Sequence, residues 1–331
     1  MKVLVTGGMG YIGSLLVEKL LNKNHLVYVV DLMIYETKFD INKKNLILIK
    51  GDIRTQNWDK ILSQGIDVVY HLAGVSNDPG NGISSKQGLD INYYATVKLY
   101  NACLKNNVKR FIYPSSCSVY GKQFNEGEKN ILNEECLINP LTNYAIAKAK
   151  VEKYIINNVK NKKMCTIVIR PATVYGISYR QRFDLIVNNF TAETMKNGTI
   201  VISNKKNVRP TVHINDLIRA YILLLNVNKN LVNNEIFNIA YDNYTLENIY
   251  TSIFKITNKT AIVKDNNMKI SRSYYVDSSK INRIIGFERK YSLNDGIEQL
   301  KRCFLNGEFN DYKENNNYFN KLCQPLFFGE F

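Results

Sequence analysis

The sequence predicts an α/β protein built on a doubly wound parallel sheet, with a smaller lobe in its C-terminal half. Three observations carry that expectation. Val3-Leu4-Val5 is a short apolar run suited to a strand buried on both faces. TGGMGYIG follows directly, and Ile12, Leu15, Leu16, Leu20 and Leu21 then recur at helical spacing. A second apolar run, Leu26 to Val30, ends in Asp31, and strands and helices keep alternating through the first half. At 331 residues the chain exceeds one average domain of about 100–200 residues. The division is expected near residue 170, with 1–170 carrying the sheet and 171–331 mainly the lobe, some of whose segments return to the sheet.

Taken in order, the first elements form a dinucleotide site. Gly7 makes the tight turn, Gly10 lets backbone approach a pyrophosphate, and Gly13 lets the helix pack closely. The helix N-terminus, opening on Tyr11 and Ile12, presents N–H groups and a positive dipole end to the phosphates. Asp31 lies 18 residues beyond Gly13, where a carboxylate binds the ribose hydroxyls. It also repels a 2′-phosphate, and Leu32 and Met33 offer no cation to reverse that, so the expected cofactor is NAD rather than NADP.

The glycines are spaced GxxGxxG, which resembles the short-chain dehydrogenase/reductase superfamily. TGGMGYIG is similar to its extended, nucleotide-sugar-modifying branch of NAD-dependent epimerases and dehydratases, whose cofactor half is a Rossmann fold. The resemblance covers the chain to about residue 300. It implies that Asp52 and Ile53, after the strand 46–50, flank the adenine, and that Leu72-Ala73-Gly74 is the small-residue turn beneath the cofactor. His71, at the end of the strand 67–71, is expected to pack structurally, and the turn-rich segment 76–82 to cover a substrate. A helix is expected over about 84–107, then a fifth strand over 110–114.

The chemistry is expected after that fifth strand. SSCSVYG, residues 115–121, precedes Tyr144-Ala145-Ile146-Ala147-Lys148 at the head of an amphipathic helix. Tyrosine and lysine four apart share one helical face, so the ammonium can stabilise a tyrosinate. Bringing a phenol from a pKa of about 10 to about 7 takes about 4 kcal/mol, which Lys148 and the nicotinium charge could share. Tyr144 then takes the sugar hydroxyl proton and Ser116 orients that oxygen. Tyr94 and Lys98 repeat the spacing, but they precede the fifth strand and have no serine segment ahead of them.

A sixth strand is expected over 164–170. Beyond it the resemblance carries the reading. PATVYG passes the nicotinamide, with Thr173 where many 4-epimerases have asparagine. The segment 178–191 resembles nucleotide-sugar and nucleotide-heptose dehydrogenases, which points to Arg180, Asn188 and Asn189 as substrate-binding residues, with Arg182 alongside. VRPTVHINDL, 208–217, matches the family's pattern, so Arg209 is expected on the diphosphate, with Arg272 as a second phosphate arginine; His213 and Asp216 are expected to be structural. Ser118 completes the expected substrate contacts.

Composition excludes several classes. The net charge of +15 comes from 44 scattered Lys and Arg with no aromatic-basic motif, so nucleic acid is not the expected partner. No apolar run approaches the roughly 18 residues of a membrane span. Cysteines 103, 117, 136, 165, 303 and 323 show no CxxC or paired framework, which suits a reducing cytoplasm. No metal site is expected. The apolar faces of the helices 84–107 and 143–158 suit either a homodimer interface or burial inside one subunit. Family 4,6-dehydratases carry an acid pair where this chain has Cys117 and Ser118. The resemblance therefore implies a 4-epimerase acting on a nucleotide-diphosphate sugar, with a 4-dehydrogenase or 4-ketoreductase as the alternative and a non-catalytic NAD-binding scaffold as a third reading.

Overall fold

The computed structural model describes residues 1–76, 84–121, 131–158, 164–265 and 273–320. Most of the turn-rich segment 76–82, and Arg272, lie outside them. The elements run β1 (Lys2–Thr6), α1 (Tyr11–Asn22), β2 (Leu26–Asp31), β3 (Leu46–Lys50), α2 (Trp58–Leu62), β4 (Val68–His71), α3 (Ser85–Leu89), α4 (Ala95–Lys105), β5 (Arg110–Pro114), β6 (Ile131–Leu132), α5 (Asn143–Asn157) and β7 (Cys165–Pro171). The second half adds β8 (Thr173–Tyr175), α6 (Ile186–Met195), β9 (Thr199–Ile202), β10 (Val208–His213), α7 (Ile214–Asn226), α8 (Lys229–Val232), β11 (Glu235–Ile239), β12 (Asp242–Thr245), α9 (Leu246–Thr257), β13 (Ile262–Asp265), β14 (Tyr275–Val276), α10 (Ser279–Ile285) and α11 (Leu293–Leu305).

Seven parallel strands form the main sheet in the order β11-β7-β5-β4-β1-β2-β3. The expected doubly wound sheet is therefore present, and its last strand comes from residues 235–239. The chain leaves β1 toward β2 on one side and later fills β4 on the other, so the crevice at the strand ends opens between β1 and β4.

Strand alternation divides the core into two layers. Val3 and Val5 on β1, Tyr70 on β4 and Ile112 on β5 join α1 and α7 on one face. Leu4, Val69 and Phe111 join Leu99 of α4 and Val151 and Ile155 of α5 on the other. The expected helix over 84–107 is observed over 85–105, interrupted by a π-helical stretch, Asp90–Tyr94. That stretch holds buried Asn92, whose amide brackets the backbone of Val75 (2.8 and 3.0 Å) and fixes the turn after β4.

In the second half, β12-β10-β8 make a separate sheet that sets Thr173 opposite Thr211. Helix α6 is buried on two sides. Val187 and Phe190 face α9 and α11, while Ala192 and Met195 join Phe183, Phe304, Phe309, Tyr312 and Tyr318. This aromatic cluster pins the chain after residue 305 against Phe183, whose N–H donates to the Tyr318 carbonyl (2.8 Å).

Candidate active site

One cavity of about 580 Å³ runs along the crevice, and its walls collect most of the residues singled out by sequence. Gly7, Gly10, Tyr11, Ile12, Gly13, Asp31, Asp52, Ile53, Leu72, Ala73 and Gly74 line it, as do Ser116, Ser118, Tyr144, Lys148, Thr173, Arg180 and Arg209.

The glycine turn is built for close approach. Gly7 has φ +70°, and a Cβ there would stand 2.7 Å from the Ala73 backbone nitrogen, inside the turn after β4. At Gly13 a Cβ would stand 2.1 Å from the Gly7 carbonyl, so this glycine packs the helix against the turn itself rather than against the strand. Gly10 occupies the N-cap of α1 with no side-chain cap, which leaves the first-turn N–H groups to face the cavity. Asp31 accepts from Met9 N–H (2.9 Å) and Met33 N–H (2.8 Å), which fixes its carboxylate at the cavity edge; burial raises its pKa. Asp52 is held by a bidentate contact from Arg54.

Tyr144 and Lys148 stand on α5, whose first turn is capped by Thr142 accepting from Ala145 N–H (3.2 Å). The Lys148 ammonium lies 5.7 Å from the Tyr144 ring centre and 4.7 Å from that of Tyr113, and it donates to the Pro114 carbonyl (2.7 Å). Burial pushes its pKa down to about 7, with the Glu152 charge one turn on opposing the fall. Glu152 is itself locked in a buried pair with Arg170 (2.6 Å), which donates to the Tyr120 hydroxyl (2.9 Å).

Residues 117–120 form a single 3-10 turn just after β5. Ser116 is its N-cap and accepts from Ser118 N–H (3.1 Å). Cys117 reaches the cavity wall, but its thiol donates to the Arg170 carbonyl (3.1 Å), and burial pushes its pKa far up. It is a poor proton-transfer group for that reason.

His71 is spent structurally. Its two ring nitrogens meet the hydroxyls of Thr6 (2.7 Å) and Thr96 (2.8 Å), and burial pushes its pKa down to about 3. His213 caps α7, and Asp216 accepts from the N–H groups of Lys290 and Tyr291. Tyr94 is 61% exposed and does not line the cavity.

The structure departs from the sequence reading in the segment 176–189. Asn188 and Asn189 do not line the cavity. Asn188 is fully buried in the first turn of α6, where its amide accepts from Gly176 N–H (3.0 Å) and donates to the Arg182 carbonyl (2.8 Å) and the Tyr11 hydroxyl (3.1 Å). A diphosphate cannot reach an amide whose oxygen and nitrogen brace the loop. Arg180 does line the cavity, but its guanidinium lies 3.9 Å over the Tyr35 ring and feels the charge of Asp31, the acid expected at the ribose hydroxyls. Arg182, paired with Asp184 (2.8 Å) and donating to Ser76 (3.2 Å), also lines the cavity. Tyr35 and Asn320 were missed, because nothing in their local sequence marks them; Asn320 arrives through the aromatic cluster and donates to Ser76 (2.8 Å).

The tight glycine turn, the uncapped helix and the fixed Asp31 together fit a dinucleotide along the crevice. Among the described residues no cluster of metal-ligating side chains occurs, and no helix is long and apolar enough to cross a membrane. Comparison with known proteins agrees with the geometry. The chain is 27% identical over 317 residues to an uncharacterised UDP-glucose epimerase of Bacillus subtilis, covering 90% of this chain and 96% of that protein. It is 28% identical over 314 residues to a putative UDP-glucose 4-epimerase of Methanocaldococcus jannaschii, covering 92% and 98%. The crystal structure of UDP-glucuronic acid 4-epimerase from Bacillus cereus, in complex with UDP-glucuronic acid and NAD, superposes with a TM-score of 0.81 at 28% identity, covering 92% and 99% of the two chains. The model of the NAD dependent epimerase/dehydratase family matches residues 3–240, so this chain belongs to that family and is an enzyme with NAD as its cofactor.

Proposed function

We propose that the protein is a nucleotide-sugar 4-epimerase acting by transient oxidation at sugar C4, with Tyr144 as the base. The observation that carries this reading is the convergence of Ser116, Tyr144 and Lys148 on the cavity that also holds the glycine turn and Asp31. Bound NAD supplies the acceptor and donor of hydride at C4. Tyr144 takes the proton of the C4 hydroxyl, and Ser116 donates a hydrogen bond to that oxygen as it becomes a carbonyl. Lys148, tethered to the Pro114 carbonyl, stabilises the tyrosinate. The keto sugar then turns over, and Tyr144 returns the proton after reduction on the other face.

Arg209, on β10, supports the diphosphate, while Ser118 and Thr173 contact the sugar. No carboxylate follows Ser116, where dehydration would need its acid and base. The relatives' names as UDP-glucose epimerases support a uridine nucleotide substrate. The proposal includes a cytoplasmic homodimer in carbohydrate biosynthesis. Five described cysteines are free, which suits a reducing compartment. The apolar faces of α4 and α5 are largely consumed within the subunit by Leu99, Tyr100, Val151 and Ile155, so the dimer face would use Tyr94, at the end of the π-helical stretch before α4, and Ile156 of α5.

A 4-epimerase keeps its reduced cofactor until the hydride returns. A substrate deuterated at C4 should therefore give epimerised product that retains the deuterium, with no net NADH. A product at the keto oxidation level, with deuterium moved to the cofactor or to a second substrate, would decide for a 4-dehydrogenase or 4-ketoreductase.

A further inference from the structure

Nothing near Asp31 in the sequence supplies a positive charge, yet the fold brings one there from 149 residues downstream. The loop 176–182 is fastened along α1. The Tyr11 hydroxyl donates to the Gly176 carbonyl (2.8 Å), Ser178 donates to the Tyr11 carbonyl (2.5 Å), and Tyr179 donates to Glu18. On its other side the loop meets the segment after β2, where Lys38 N–H donates to the Tyr179 carbonyl (3.0 Å) and Phe39 packs edge-on to the Tyr179 ring. Arg180 thus sits between α1 and the segment after β2, within electrostatic reach of the acid expected at the adenosine ribose.

Its state is that of a cation short of partners. Arg180 is 3% exposed, its Nε has no hydrogen-bond partner among the described residues, and its hydrogen bond to the Phe319 carbonyl is long at 3.4 Å. Burial pushes its pKa down to about 10, Arg182 adds repulsion, and the charges of Asp184 and Asp31 compensate only in part. The Tyr35 ring lies 3.9 Å beneath the guanidinium, and this cation–π contact holds it at the cavity wall.

We propose that Arg180, stacked on Tyr35, is a subsite for a phosphate on the adenosine ribose, so that the cofactor site admits the 2′-phosphorylated dinucleotide, NADP, alongside NAD. The reason is charge and place. Asp31 accepts from a ribose hydroxyl and repels a phosphate, while an arginine beside it receives that phosphate bidentately. The pyrophosphate belongs instead to the N-terminus of α1, whose first-turn N–H groups face the cavity. The inference rests on the dinucleotide lying along the cavity with Asp31 at its adenosine ribose, and it is independent of the sugar reaction.

The test is competition at equilibrium. The full chain is dialysed against labelled NAD, with unlabelled NAD or NADP as competitor. In the wild type NADP should compete within about tenfold of NAD. Arg180→Ala should weaken NADP by about tenfold or more and NAD by less than about threefold, with Arg180→Lys between them. Equal weakening of both dinucleotides would place Arg180 on the pyrophosphate and overturn the proposal, as would a wild type that rejects NADP by more than about a hundredfold. A wild type that binds no NAD would instead overturn the placement of the dinucleotide itself. Should Arg180→Ala fail to fold, the unmodified protein still decides. Adenosine 2′,5′-bisphosphate should raise its melting temperature more than AMP does at equal concentration, and equal shifts would overturn the proposal.

Discussion

Lys148 and Arg180 are both buried cations on the wall of one cavity, and they arrive there by different routes. Lys148 shares a helix with Tyr144, four residues away, and its tether is the Pro114 carbonyl at the end of β5. Arg180 is placed by a loop whose shape depends on α1, on the segment after β2 and on a buried asparagine in α6. β5 and β2 are three strands apart in the sheet, about 14 Å at the usual spacing. The difference teaches that a cation's role is readable locally when its partner is on the same element. When the partner comes from another part of the chain, the local sequence does not show which ligand the cation meets. Arg180, read from its own segment, is expected on the substrate, whereas the proposal above gives it the adenosine side of the cofactor.

The largest expected effect lies on the α5 side. Tyr144→Phe should lower turnover by about 10² to 10⁴-fold while NAD binding and the melting temperature change little, because only a proton acceptor is removed. Tyr94→Phe, exposed and off the cavity, should leave turnover unchanged. Equal losses in the two variants would break the assignment of the catalytic helix.

The loop side should answer differently. Asn188→Ala removes an amide that braces Gly176, Arg182 and Tyr11, leaving buried groups without partners. Denaturant unfolding should show a loss of about 1–3 kcal/mol. If stability stayed intact while only the substrate KM rose, Asn188 would be a ligand after all, and the structural placement would be the error.

The smallest effect sharpens the contrast by pH. Burial holds the folded pKa of Lys148 at about 7 against its ordinary 10.5. Between those values the unfolded chain binds a proton that the folded chain does not, so this group makes stability rise with pH through that window. Lys148→Met should therefore stabilise the protein below about pH 7, by an amount on the order of 1 kcal/mol once the lost hydrogen bond to Pro114 is offset. The gain should fade as pH approaches 10.5. Melting curves showing a pH-independent change would remove burial of the charge as the cause.

The sequence by itself determined the parallel sheet, the glycine turn with Asp31, and the pairing of Tyr144 with Lys148. Each of these rests on short-range physics: the period of a strand, the freedom of Gly7 at positive φ, and the rise of a helix that stacks residues four apart. Tertiary structure alone decided that residues 117–120 curl into a 3-10 turn and that Cys117 donates to the Arg170 carbonyl, because that carbonyl comes from a neighbouring strand. It alone turned Asn188 inward, since the first turn of α6 is covered by Tyr11 and the 176–182 loop. It also brought Asn320 to the cavity through packing of Phe183 with Phe304, Phe309, Tyr312 and Tyr318, residues that carry no motif of their own. Local pattern fixes which side chains share a face; which distant chain covers that face follows only from how the layers pack.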